Sequence, residues 1–254
     1  NDWGSGKNVR FGIKVVADNQ SIEGFRFSNV YVHDVFPTPT ALEHQHKGYG
    51  IKIETQSDLT IDSAHLANDI HFSGLAIART GHYGIWIKSL GLNQNDAFKN
   101  QFVTMESCDF DNTGGAGFVP NKSEFVLVEN CTFNHSGSSV DPRMWKRGSG
   151  MWPFDCRNVV AQHNHFLNAH GPIDSYGAHI DYGNENVVFQ YNLSYNNEGG
   201  FVEILGDNIN CGYRYNISIN DGYRIDPEGV HNGRTYNVSD YCGVNNAGCP
   251  SVRA

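Results

Sequence analysis

Three carboxylates close successive copies of one short motif, and their spacing suggests where this chain could do chemistry. The copies read GAHID from Gly177, GGFVE from Gly199 and GYRID from Gly222, so Asp181, Glu203 and Asp226 each stand four residues after a glycine. Stacked as neighbouring strands, Asp181 and Glu203 would lie about 4.8 Å apart, one strand spacing. Two carboxyls about 5 Å apart suit a retaining glycosidase, one as nucleophile and one as acid/base. Repulsion at that range also raises one pKa and leaves the other group ionised. Asp181 with Asp226, two strands apart, would meet the wider spacing of about 6.5 to 9.5 Å that an inverting enzyme needs. His179 projects on the same side of its strand as Asp181 and could bind a hydroxyl or tune a carboxylate.

Something must hold these side chains in register, and the same motif does so along the chain. It recurs as GIKIE from Gly50, GIWIK from Gly84, GFVPN from Gly117 and GMWPF from Gly150, with glycine steps of 34, 33, 33, 27, 22 and 23 through the series. A second repeat follows each copy: FVTMESCDF (102–110), FVLVENCTF (125–133), VVAQHNHF (159–166), VVFQYNLS (187–194) and YRYNIS (213–218), with looser versions at 25–32 and 70–77. These short alternating runs, rich in Val, Phe and Tyr and bounded by Gly, Asn and Asp, read as strands. Strands recurring at a fixed period mean a solenoid whose coils pair only with their neighbours. The expectation is an all-β, right-handed parallel β-helix forming one domain over residues 1–254, with an abrupt start that reads as a processed product or a piece of a longer solenoid.

Register brings further expectations. Asn164, Asn192 and Asn216 fall at one turn position with Cys108 and Cys131 above them, where stacked amides can hydrogen-bond along the coil. That reading makes the glycosylation sequons at Asn192 and Asn216 structural. Cys242 and Cys249 bracket a short loop and read as a small disulfide, and none of the six cysteines has CxxC spacing, which excludes a zinc ribbon. Insertions at 34–48, 88–100 and 134–149 would form walls beside the first repeat strand.

In the first repeat, positions one and three after the glycine are mostly apolar and point inward. Positions two and four point outward: Lys52/Glu54, Trp86/Lys88, Val119/Asn121, Trp152/Phe154, His179/Asp181, Phe201/Glu203 and Arg224/Asp226. A sheet face that combines exposed tryptophans with a row of acids reads as a carbohydrate cleft. Trp86, Trp152, Lys88, Asn121, Asp155, Tyr182 and Arg224 are the candidate substrate contacts. The chain carries a net charge of −9 and no apolar run long enough for a membrane helix, which argues against nucleic-acid and membrane partners.

The stretch GAHIDYGNENVVFQYNLSYNNEGGFVEILGD (177–207) resembles the active-site region of β-helical glycoside hydrolases of the β-xylosidase and fucosidase/xylanase type. The resemblance implies Asp181 as nucleophile, Glu203 as general acid/base, no required cofactor, and a secreted, extracellular or periplasmic enzyme. Tyr182 stands where those families carry Trp, and Leu205-Gly206-Asp207 where they carry His-Gly-Pro. Two other readings compete. A polysaccharide lyase would use the acids to hold Ca²⁺ against a uronate while Lys88, Lys146, Arg147 or Arg224 takes a proton. A non-catalytic β-helix would only bind glycans. Basic groups on an acidic protein leave an acidic or sulfated poly- or oligosaccharide among the substrates expected.

Overall fold

The computed structural model describes residues 11–17, 20–37, 47–57, 64–90, 99–224 and 233–241. Among them every regular element is a β-strand, and all but one of the strand pairings are parallel. The chain winds through successive coils of three strands each. The first coil holds β1 (Phe11–Ala17), β2 (Ile22–Ser28) and β3 (Tyr31–Val35), and the second β4 (Tyr49–Ser57), β6 (Ala67–Ser73) and β7 (Ala76–Thr80). The third holds β8 (Ile85–Leu90), β9 (Asn100–Glu106) and β10 (Asp109–Thr113), and the fourth β11 (Phe118–Pro120), β12 (Ser123–Glu129) and β13 (Thr132–Asn134). A short β5 (Ala64–His65) folds back on β4 as the antiparallel exception.

Stacking these coils makes three walls. One runs from β2 through β6, β9, β12, β14 (Arg157–Gln162) and β16 (Glu185–Gln190) to β19 (Gly212–Arg214). Another runs from β3 through β7, β10, β13, β15 (His165–Leu167) and β17 (Leu193–Tyr195) to β20 (Ile217–Ile219). The remaining wall is built from the glycine motif. It begins as β1, β4, β8 and β11 and then thins to isolated bridges, Phe118 to Met151, Met151 to Ala178, and Ile180 to Ile204. The expected parallel β-helix is the fold observed.

The interior is filled as the alternation predicts. Ile51, Ile53, Ile85, Ile87, Phe118, Ala178 and Ile180 are all buried. Phe110, Phe133 and Phe166 stack at successive centroid distances of 4.8 and 5.1 Å, almost coplanar. Identical positions repeat because each coil meets the same surroundings one strand spacing further on.

The polar ladder is also where the sequence places it. Asn164 Oδ1 accepts from the Cys131 amide at 2.9 Å, Asn192 Oδ1 from the Asn164 amide at 2.9 Å, and Asn216 Oδ1 from the Asn192 amide at 2.9 Å. Each buried asparagine thereby satisfies the backbone of the coil before it, which an apolar residue could not do. Cys108 and Cys131 stack as buried free thiols; Cys156 and the half-buried Cys211 are free as well. The Cys242–Cys249 pair lies outside the described residues.

Candidate active site

The glycine-motif wall carries its outward side chains in two columns, and pairing fixes which residues share each one. Ile51 pairs with Ile85 and Ile85 with Phe118, and bridges continue from Phe118 to Met151 and on to Ala178. One column therefore runs Glu54, Lys88, Asn121, Phe154, Asp181. The next rung departs from the expected register. Tyr176 bridges Gly200 and Ile180 bridges Ile204, so His179, not Asp181, lies beside Glu203. Asp181 faces Leu205. The double glycine 199–200 mimics the repeat's glycine, but the rung of Gly177 is taken by Phe201, which is buried in the core rather than outward. Gly200 sits at φ +127 with the Arg234 carbonyl where a Cβ would be, so this rung admits only glycine.

The second column thus reads Lys52, Trp86, Val119, Trp152, His179, Glu203. It ends on Asn237 of β21 (Tyr236–Val238), which pairs with β18 (Val202–Ile204). Asn237 takes the place expected for Asp226, and Asp226 itself lies outside the described residues. Asp181 and Glu203 are one rung apart and two residues out of step, a backbone separation of about 8 Å from strand spacing and rise. The argument for a retaining pair from direct stacking is removed by that slip.

Beside Asp181 an aromatic cluster is assembled. Trp152 stacks on His179 at 5.6 Å, Tyr83 meets Trp152 edge-on at 5.7 Å, and Tyr176 meets His179 edge-on at 5.9 Å. The 134–149 insertion is the wall predicted for it: its Trp145 stacks on His82 at 4.2 Å. Arg147 of the same insertion lies over Trp145 and pairs with Asp174 at 2.7 Å.

Electrostatics single out Asp181. Its backbone environment gives it one hydrogen bond, from the Tyr182 amide at 2.9 Å. Burial pushes its carboxyl up to about 7; His179 and the Tyr182 amide pull the other way, while Asp174 and then Glu203 push further up. Glu203 is engaged on every side. Asn237 Nδ2 donates to its Oε1 at 2.8 Å, its Oε2 lies 3.8 Å from His179 Nδ1, and the Tyr176 phenol hydrogen-bonds to it. His179 Nδ1 also shares a 2.9 Å hydrogen bond with Ser149 Oγ. These contacts tie Glu203 to Asn237, Tyr176 and His179.

Asp174 is the residue that periodicity could not find. It stands seven residues before Asp181 in a turn outside both repeats. Asp174 and Ser175 have φ of 58° and 62°, the one consecutive left-handed pair of non-glycine residues among those described. Such strain tends to be kept where function demands it. Arg224 clamps this turn: its guanidinium donates to the Gly171 carbonyl and, at 3.4 Å, to the Asp174 carbonyl. The expected substrate contact at Arg224 is thus a buried brace.

Other expected contacts are placed as follows. Trp152 and Tyr182 border Asp181, with Tyr182 edge-on to Phe154 at 4.7 Å. Asn121 is buried, accepting from the Ser89 amide and donating to the Phe154 carbonyl, so it is spent on the backbone. Both Asp155 oxygens are taken, by Lys99 at 2.8 Å and Lys122 at 2.6 Å, a corner ion cluster. Trp86 and Lys88 lie further along the same face. His44 and His46 lie outside the described residues, as do 38–46 and 91–98 of the other two insertions. Among the described residues no group of three or more His, Cys, Asp or Glu is arranged to hold a metal ion.

The chain belongs to the right-handed β-helix family, whose model, described as "Right handed beta helix region", matches residues 11–220. It is 38% identical over 80 residues to a lacto-N-biosidase of Bifidobacterium longum subsp. longum, a match covering 29% of this chain and 5% of that relative. The GH136 lacto-N-biosidase of Eubacterium ramulus, solved as native protein and as selenomethionine derivative, shares the fold with TM-scores of 0.68 and 0.66 at 19% identity. Each match covers 98% of this chain and 46% of the neighbour, so the chain spans about half the length of those structures. These relatives are lacto-N-biosidases by name, and none is of the β-xylosidase or fucosidase/xylanase type that the sequence resembles.

Proposed function

We propose that this β-helix hydrolyses a glycosidic bond of an oligosaccharide at Asp181, with Asp174 as the second working carboxyl and Glu203 in support. The observation that carries this reading is a carboxyl with its pKa pushed up to about 7, set among Trp152, Tyr83 and His179 with a second, Arg-paired carboxylate close by. Glycoside hydrolysis needs one proton to give to the leaving oxygen and one negative charge facing the sugar. A desolvated Asp181 beside an Asp174 balanced by Arg147 is suited to hold that combination near neutral pH. Aromatic faces suit the apolar side of a pyranose, and His179, held by Ser149 and Glu203, is placed to meet a hydroxyl.

The relatives' name makes an oligosaccharide bearing a lacto-N-biose unit the first substrate to test. The assay follows reducing ends and free disaccharide, with Asp181→Asn and Asp174→Asn beside the native protein. Hydrolysis abolished by both substitutions supports the pair. Hydrolysis that survives Asp174→Asn but not Glu203→Gln would return the second role to Glu203. Azide added to each inactive variant separates the roles: a glycosyl azide of retained configuration marks the acid/base, one of inverted configuration the nucleophile.

A further inference from the structure

Three rungs from Asp181 along the same face, about 14 Å by strand spacing, the chemistry changes sign. Lys14, Lys52 and Lys88 converge there around a single described carboxylate, Glu54. Glu54 is shared: its Oε2 lies 2.5 Å from Lys52 and its Oε1 3.5 Å from Lys14. Among the described residues no carboxylate pairs with Lys88. Its ammonium instead lies over the Trp86 ring at 4.9 Å, and the Lys52 ammonium lies over the same ring at 5.0 Å. Tyr49 packs against Trp86 at 5.0 Å and fixes the ring from behind.

Two ammonium groups on one indole repel each other, and that is visible at Lys88: burial, then the charge of Lys52, lowers its pKa. Lys52 itself is buried, so its charge is held in place rather than free to swing away. This end of the face is therefore positive in a chain whose net charge is −9. Cations held over an indole at the rim of the face are matched by a sugar ring that carries an anion.

We propose that Trp86 with Lys88 and Lys52 forms a distal subsite for an acidic sugar, a uronate or a sulfated residue, so that the substrate is an extended oligosaccharide charged away from the bond cleaved. The proposal deepens the hydrolase reading and, for its placement in the substrate path, rests on it. Lys88 supplies the charge-assisted contact, Lys52 the fixed positive background, and Trp86 the ring that holds both ammonium groups in place.

The test measures binding without turnover, by titration calorimetry on the Asp181→Asn protein at low salt. Three tetrasaccharide probes are used: one ending in glucuronate, its carboxyl-reduced form ending in glucose, and a form ending in glucose 6-sulfate. The acidic probes are expected to bind about 10-fold or more tighter than the neutral one, the scale of one charge-assisted hydrogen bond. Lys88→Gln should collapse that ratio, Lys88→Arg should keep most of it, and added salt should shrink it. Whichever acidic probe binds tighter identifies the anion. Equal binding of all three, or a ratio unchanged by Lys88→Gln, overturns the subsite. Hydrolysis by native protein is scored separately. Cleavage without charge preference sinks the subsite alone, preference without cleavage of any oligosaccharide sinks the hydrolase alone, and absence of both sinks both.

Discussion

Two walls of this solenoid keep their register from the first coil to the last, while the third loses it where the acids gather. The walls ending in β19 and β20 run through seven strands each, stitched by buried asparagines and stacked phenylalanines. The glycine-motif wall has full strands as far as β11 and then only bridges until β18 pairs with β21. In the regular walls inward positions meet mostly apolar partners in unbroken register, so packing is satisfied by repetition. In the broken wall Asp181, Asp174, His179 and Glu203 each meet something different. A desolvated Asp181 and the left-handed Asp174–Ser175 pair coincide with that break. Regularity stabilises this molecule; its local failure is where the proposed site falls.

The comparison can be broken most directly at Asp181. Asp181→Asn should lower turnover by about 10³-fold, within the range expected for a lost acid, base or nucleophile. The same substitution should leave the protein more stable in alkali. The native carboxyl has a folded pKa near 7, above its unfolded value, so its contribution is present below about pH 4 and is lost as pH rises through 7. Thermal melts at pH 5 and pH 8 should therefore show the Asn variant gaining on the native protein at the higher pH. A variant equally stable relative to native at both would contradict the raised pKa of this acid.

In the regular part the effect should fall on stability alone. Phe133→Ala removes the middle ring of the stack and should cost about 3–5 kcal/mol in denaturant unfolding. Asn192→Ala leaves the Asn164 amide and the Ala161 carbonyl without their partners and should cost about 2–3 kcal/mol. Loss of turnover per folded molecule in either variant would mean that the walls and the site are not separable.

The smallest effects sharpen the ordering within the site. Removing a negative neighbour lowers a raised carboxyl pKa, so Glu203→Gln should move the Asp181 limb of the pH–rate profile below 7. Asp174→Asn should move the Asp181 titration further, since Asp174 pushes harder. NMR titration of the Asp181 carboxyl reads both shifts. The reverse order would place Glu203, not Asp174, as the closer charge.

Much of this was legible in the chain itself. The glycine and aromatic repeats determine the coil, because alternating apolar residues at a coil's period can be buried in no other common way. The asparagine column follows too, since a short amide at a buried turn can bond the backbone of the neighbouring coil. Asp181, His179, Trp152 and Tyr182 could be named as neighbours, for they lie on or beside one strand. Register across the Gly199–Gly200 turn could not, because two glycines offer two alignments and only the bridge from Ile180 to Ile204 chooses. Asp174 and Arg147 come from turns outside any period, and what brings them beside Asp181 is the winding of the coil. Sequence determined the scaffold because repetition is local physics. Tertiary structure decided which charges surround Asp181, because they meet through space across residues that the repeat does not relate.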